Sequence, residues 1–285
     1  MCDTCGCNIT SGNKHLIEND GLLARTESGK SAVTVLQSLL HENDHQAMHN
    51  RQHFDSRKVL AINLMSSPGS GKTSLLEKTI EELGNKLNIA VIEGDLETEN
   101  DANRIRKKGV PVVQITTGSA CHLDAHLVHD GLHQLNLDGI DILFIENVGN
   151  LVCPASFDLG HHLNVILLST TEGDDKPAKY PVMFRAADLM LVTKSDLLAV
   201  LDDFSVEKST LHFRELAKSE PVFSLSAKNG EGFEQWINWL QEELKSHRAA
   251  LQNGTTQRPA IQPDGIRFHA VDSAAHTHHH HHEHS

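Results

Sequence analysis

Three of the five cysteines, Cys2, Cys5 and Cys7, fall within the first seven residues. Thiolates suit Ni²⁺, Zn²⁺ and Cu(I). The C-x-x-C-x-C spacing lets three sulfurs converge on one ion without a folded scaffold, and Gly6 permits the tight turn. A freed α-amino group or a backbone nitrogen completes a square-planar set, a Ni²⁺ preference. Clustered thiols in a cytosolic setting point to metal rather than disulfides. The other reading is exposed thiols open to oxidation.

A second kind of chemistry sits at Ser66-Ser67-Pro68-Gly69-Ser70-Gly71-Lys72-Thr73. An apolar run precedes it and a helical pattern follows, the context a phosphate-binding loop requires. Gly69, Ser70 and Gly71 let backbone amides turn inward around a β-phosphate, and the helix N-terminus adds its positive dipole end. Lys72 reaches the β/γ-phosphates, Thr73 offers its hydroxyl to Mg²⁺, and Ser74 closes the nucleotide-binding run. The first position of the G-x-x-x-x-G-K-T pattern is Ser66 rather than Gly.

Later segments fit the same ligand. An apolar strand ends in Glu146, followed by Asn147-Val148-Gly149. A carboxylate there can hold Mg²⁺ through water, and the Gly149 amide can meet a γ-phosphate and sense its loss. Thr193-Lys194-Ser195-Asp196 resembles the N-K-x-D guanine reader with Thr in place of Asn. A carboxylate at Asp196 accepts from guanine N1–H and the 2-amino group, donors adenine lacks. The stem of Lys194 can lie along the base. Ser226-Ala227-Lys228 resembles the loop whose backbone amide donates to guanine O6. The four segments, in order and at strand ends, select GTP over ATP. Asp95 ends the second strand; it either assists Mg²⁺ and the attacking water or caps the helix ahead.

The remaining cysteines lie beside this machinery. Cys121-His122 follows the third strand and Cys153 comes four residues after Gly149. Together they make three ligands, one short of a closed tetrahedral zinc site, the fourth coming from water or a second copy of the chain. The alternative is two small buried hydrophobes. His41, His45, His49 and His53 are spaced by four and line one helix face, and His122, His126, His129 and His133 form a similar stripe. Each stripe alone reads as a solvated polar face. The run His278 to His282, interrupted around by Thr277 and Glu283, is either a purification tag or a metal-storing tail.

Alternating strands and helices must position these groups. Strands are expected over 59–65, 89–93, 112–116, 140–145, 165–169, 189–193 and 222–225. Helices are expected over 31–53, 71–87, 99–108, 122–135, 206–218 and 233–247. The pattern specifies an α/β P-loop NTPase with a mostly parallel sheet of about seven strands and helices on both faces, ligands sitting at the carboxyl ends of the strands. Three regions follow: a Cys/His-rich metal-binding extension over 1–56, a GTPase domain over 57–250 and a disordered His-rich tail over 251–285. A formal net charge of −13 argues against a nucleic-acid partner bound through phosphates. No run approaches the roughly 18 apolar residues of a membrane span, and the start lacks a secretory signal, so a cytoplasmic location is expected.

Met1-Cys2-x-x-Cys5-Gly6-Cys7, the Ser-Pro-Gly-Ser-Gly-Lys-Thr loop, Cys121-His122 and Glu146-Asn147-Val148-Gly149-Asn150-Leu151-Val152-Cys153-Pro154 together resemble the hydrogenase nickel-incorporation GTPases, the HypB family of SIMIBI-class P-loop G proteins. The resemblance implies a GTP-dependent homodimer that delivers Ni²⁺ to the large-subunit precursor of [NiFe]-hydrogenase, working with a small zinc- and nickel-binding accessory protein, HypA. It implies a tighter nickel site at Cys2, Cys5 and Cys7 and a weaker nickel or zinc site at Cys121, His122 and Cys153 at the dimer interface. It implies catalytic roles for Lys72, Asp95, Glu146 and Gly149. Three rivals remain open. The urease accessory GTPases share the fold but favour a Cys-Pro-His triplet, whereas Ala155 follows Cys153-Pro154 here. A nickel or zinc storage protein should show no GTP turnover. An ATPase of the same branch is disfavoured by Asp196.

Overall fold

The computed structural model describes residues 32–95, 99–118, 120–217, 219–259 and 261. Seven strands form one sheet: β1 (Leu60–Ser66), β2 (Ile89–Asp95), β3 (Val112–Thr116), β4 (Ile142–Glu146), β5 (Leu163–Ser169), β6 (Leu189–Thr193) and β7 (Val222–Ser224). Their order is β3-β2-β4-β1-β5-β6-β7, and every neighbouring pair is parallel. The near-continuous apolar runs of β1 and β5 are buried along their whole length, as a sheet covered on both faces demands.

Two faces of helices complete the layers. On one, Leu60, Ile62 and Leu64 pack against Leu75, Leu76, Ile80 and Leu83 of α2 (Lys72–Leu83). Ile105 of α3 (Asn100–Arg106) joins this cluster, with Trp236, Leu240 and Leu244 of the last helix, α8 (Phe233–Gln252). On the other face, Val59 and Ala61 pack against Phe54 of α1 (Ala32–Arg57) and Val128 and Leu132 of α4 (Ala125–Leu132). Met65 and Ile166 pack against Met183 and Phe184 of α6 (Pro181–Arg185) and Phe213 of α7 (Val206–Leu216). Alternate residues of β1 therefore serve opposite layers, as the period of two requires. Among the described residues no helix is long and apolar enough to cross a membrane.

Several elements differ from expectation. The helix expected from residue 122 begins at Ala125, because the Asp124 carboxylate accepts from the Leu127 amide (2.8 Å) and caps it there. His122 therefore precedes the helix and does not belong to its stripe. The helix expected over 71–87 ends at Leu83, before Gly84. α8 continues to Gln252, beyond the expected residue 247. The short helices α5 (Lys176–Lys179) and α6 were not anticipated, since each has a proline in its first two positions that periodicity reads as a break.

α1 is tied to the domain by polar side chains. Asn43 accepts from the Ala125 amide (2.9 Å) and donates to the Asp158 carbonyl (2.8 Å). Asn50 donates to the Ala125 carbonyl (2.8 Å), and Arg51 pairs with Asp158 (2.7 Å) with both side chains largely buried.

Candidate functional site

The loop joining β1 to α2 lies at the carboxyl end of the central strand. Gly69 (φ 76°) and Gly71 (φ 95°) sit in the left-handed region, where a side chain would be strained. Lys72 Nζ donates to Ser66 Oγ (3.1 Å), so the serine that replaces the expected first glycine holds the lysine expected to meet the phosphates. Thr73 Oγ1 donates to Glu146 Oε1 (2.9 Å) at the end of the adjacent β4.

Beside this pair the sheet holds an unexpected carboxylate. Glu93 of β2 stands in register with Glu146 and is 2% exposed. Burial, then the charges of Glu146 and Asp95, push its pKa up to about 8. Burial likewise raises Glu146 to about 6, against the opposing pull of Lys72 and the Thr73 hydrogen bond. Glu93 Oε2 and Glu146 Oε2 are buried with no hydrogen-bond partner. Two orphaned carboxylate oxygens beside a threonine hydroxyl fit a hard divalent cation such as Mg²⁺, which takes oxygen ligands and keeps several waters. Asp95 ends β2, and the N-cap position of the next helix is Glu99, so Asp95 does not cap it. Sequence reasoning passed over Glu93. Its signal was an acid directly after the apolar run Ile89-Ala90-Val91-Ile92, still within the strand.

The segments expected to read the base meet around a cavity of about 280 Å³, lined among others by Ser70, Ser74, Lys194, Asp196, Ala227 and Lys228. Thr193 Oγ1 donates to the Ser70 carbonyl (2.7 Å) and Lys194 Nζ to the Gly69 carbonyl (2.8 Å), tying this edge to the phosphate loop. Lys194 adopts φ 59°, a left-handed conformation rare outside glycine. Asp196 Oδ1 accepts from Ser226 Oγ (2.7 Å), which orients the carboxylate, and Lys228 Nζ lies 3.8 Å from Oδ2.

Cys121, His122 and Cys153 converge, their ligand atoms all within 4.8 Å of one another. The two sulfurs lie 3.0 Å apart and Cys121 Sγ is 3.7 Å from His122 Nδ1. His122 is buried and stacked on Phe157 at 4.0 Å between ring centroids. Cys121 follows β3 and Cys153 follows β4, yet β2 lies between those strands. The chain after β3 crosses over the end of β2, where Gly94 leaves room: a Cβ there would meet the Leu123 side chain at 2.8 Å. Asn150 Nδ2 then donates to the Cys121 carbonyl (3.2 Å). Asn147 Oδ1 accepts from the Leu123 amide (3.2 Å). Gly149, in the same loop, backs against the phosphate loop, where a Cβ would meet Pro68 Cα and N at 2.8 Å. Cys2, Cys5, Cys7 and the terminal histidine run lie outside the described residues.

A second candidate trio, Asp55, His162 and His247, lies at the amino ends of the strands. His162 Nδ1 accepts from the Ala61 amide (2.9 Å), which leaves the ring proton on Nε2, facing Asp55 Oδ1 at 3.0 Å. That nitrogen has no lone pair for a metal, and the contact reads as a structural hydrogen bond between α1 and the sheet.

Fold and loop geometry define a nucleotide-binding P-loop protein with a thiol–imidazole cluster beside its phosphate loop. The sequence model of the CobW/HypB/UreG nucleotide-binding domain matches residues 60–223. The hydrogenase maturation factor HypB of Azotobacter chroococcum mcd 1 is 53% identical over 232 residues, covering 81% of this chain and 75% of that one. Its counterpart in Escherichia coli K12 is 53% identical over 216 residues, covering 76% and 74%. The crystal structure of HypB from Helicobacter pylori in complex with nickel superposes with a TM-score of 0.69 at 41% identity, covering 72% of this chain and 96% of that one. HypB from Archaeoglobus fulgidus gives 0.68 at 40%, covering 72% and 100%. The chain belongs to the HypB family of hydrogenase maturation factors.

Proposed function

We propose that this chain is a GTP-hydrolysing nickel metallochaperone acting in [NiFe]-hydrogenase maturation. The observation that carries the reading is one loop with two duties. Gly149 packs on Pro68 of the phosphate loop, and Cys153, four residues on, lies 3.0 Å from Cys121. Any displacement of this loop with the γ-phosphate moves a metal ligand.

In this reading Lys72 leaves Ser66 Oγ for the β/γ-phosphate oxygens when GTP enters. Gly69, Ser70 and Gly71 wrap the β-phosphate, and Asp196 reads guanine within the cavity. Thr73, Glu146 and Glu93 hold Mg²⁺, which when bound neutralises charge between the β- and γ-phosphates. Asp95 orients the water that attacks the γ-phosphorus of GTP, forming phosphate as the bond to the departing GDP breaks. Ni²⁺ is cargo, bound first at Cys2, Cys5 and Cys7, and Ni²⁺ or Zn²⁺ occupies the Cys121–His122–Cys153 site. That site has three protein ligands, so a second copy of the chain is the natural source of a fourth. The neighbouring Val152, 47% exposed, offers apolar surface for a homodimer. HypA and the hydrogenase large-subunit precursor are the expected partners on either side of the transfer.

The test is nickel titration of the full chain with and without GTP, reading affinity and oligomeric state together. GTP should change nickel affinity and favour the dimer. GTP turnover with neither affinity nor assembly responding to nucleotide would overturn the metallochaperone reading.

A further inference from the structure

The two histidine stripes, each unremarkable alone, face one another across the seam between α1 and α4. His129 lies in the last turn of α4 and His133 caps its C-terminus, with their Nε2 atoms 3.2 Å apart. Two imidazole nitrogens this close share a single proton, and the point between them is where a cation would sit. Nitrogens bound to one metal at about 2.0–2.1 Å lie roughly 3 Å apart in a tetrahedral or square arrangement. His49 comes from α1, its ring 5.1 Å from that of His129 and edge-on to it, so a rotamer change of this exposed side chain would be needed to bring a nitrogen to the same ion. His53 is excluded, because its Nδ1 lies 3.3 Å from Arg57 Nη1. Arginine can only donate, so His53 accepts there and keeps its proton on Nε2.

We infer that His49, His129 and His133 form a further binding site for one divalent transition-metal ion of the Ni²⁺, Zn²⁺ or Co²⁺ class, with the fourth position open to water. Neutral imidazole suits these ions. His49 and His133 are exposed and His129 is half-buried, so the rings reorient freely and the ion exchanges with solvent. Burial, then the neighbouring His133 and His49, holds the pKa of His129 below the usual histidine range, against the opposing pull of Asp130.

Three ligands and an open position suit a site that takes up and hands on its ion rather than storing it. Its place in the fold agrees. α4 begins three residues after His122, and the exposed His126 lies on the same helix between the two sites. At 1.5 Å per residue, His129 is roughly 6 Å along the helix from its first residue. A cation captured at the seam is thus two helical turns or so from the thiol–imidazole trio. The site needs no nucleotide, so it stands or falls separately from the GTP-driven reading.

The test is a Zn²⁺ titration of the full chain followed by ¹⁵N imidazole NMR, with wild type and His129→Asn side by side. In the wild type the signals of His49, His129 and His133 should shift together in one step. His129→Asn should abolish the shift at His49 and weaken that at His133. If His129 and His133 shift while His49 stays still, the helix-bridging site is refuted. If none of the three responds while His278 to His282 are saturated, the inference fails outright.

Discussion

Replacing Gly149 with alanine probes the contact on which nucleotide and metal are expected to communicate. The added Cβ would stand 2.8 Å from both Pro68 Cα and Pro68 N, and 3.1 Å from Pro68 Cγ. Carbon atoms pack best at about 3.5–4.0 Å, so the loop must retreat by roughly 0.7 Å or more. Two of the obstructing atoms are backbone, so no rotamer change relieves the overlap. Overpacking of this kind costs about 1–3 kcal/mol, or roughly 5–150-fold in an equilibrium constant. If closure on the γ-phosphate presses Gly149 further onto Pro68, as the proposed function requires, the cost is greatest in the GTP state. Fluorescent-nucleotide titration should therefore show Gly149→Ala losing affinity for a non-hydrolysable GTP analogue within that range, with GDP affected much less. The same variant should bind Zn²⁺ or Ni²⁺ differently at Cys121, His122 and Cys153, because Asn150 ties the moved loop to the Cys121 carbonyl. Wild-type affinity for both nucleotides would refute the reasoning.

Asp196→Ala should erase the preference for GTP over ATP. Each charged hydrogen bond lost to guanine costs about 1.5–3 kcal/mol, read as relative Kd values for the two nucleotides. Lys72→Ala should abolish turnover, measured as phosphate release, while nickel bound at Cys2, Cys5 and Cys7 is retained. Acid–base behaviour gives a further check. Glu93 has its pKa raised from 4.5 to about 8, so its contribution to stability is full below 4.5 and is lost as pH rises through 8. His161 is lowered from 6.5 to about 4 by burial, so its contribution is full above 6.5 and lost as pH falls. Between pH 6.5 and 8 Glu93 alone removes about 2 kcal/mol from metal-free protein, partly offset by His161 and His247, whose unfolded forms lose their last protons over the same window, and denaturant titration reads the balance. Glu93→Gln should flatten that slope.

The phosphate loop was legible because its chemistry is local: strand, glycine turn, lysine and threonine are contiguous. The Thr193 to Asp196 segment was visible for the same reason, as a contiguous pattern at a strand end, although the contact made by Thr193 was not. Its hydroxyl bonds the Ser70 carbonyl across 123 positions of sequence, which no spacing rule reveals. Cys121 and Cys153 could only be weighed against a packing role, since their meeting depends on Gly94 letting the chain cross the end of β2. The histidine stripes were seen singly and their convergence was not. It depends on how α1 docks, which Asn43 and Asn50 fix through the Ala125 backbone. Glu93 was overlooked because a buried acid in an apolar strand carries no period, only a penalty that a cation or proton must relieve.

The central claim is that the nucleotide sets the geometry of the Cys121–His122–Cys153 site. It is tested most directly by the metal affinity of a variant with Cys2, Cys5 and Cys7 replaced by alanine, measured with GDP and with a non-hydrolysable GTP analogue. Linkage makes any difference reciprocal, and a coupling of about 1–3 kcal/mol predicts roughly a 5–150-fold change in affinity between the two states. Equal affinities in both states would contradict the account and leave Cys153 as a packed core thiol.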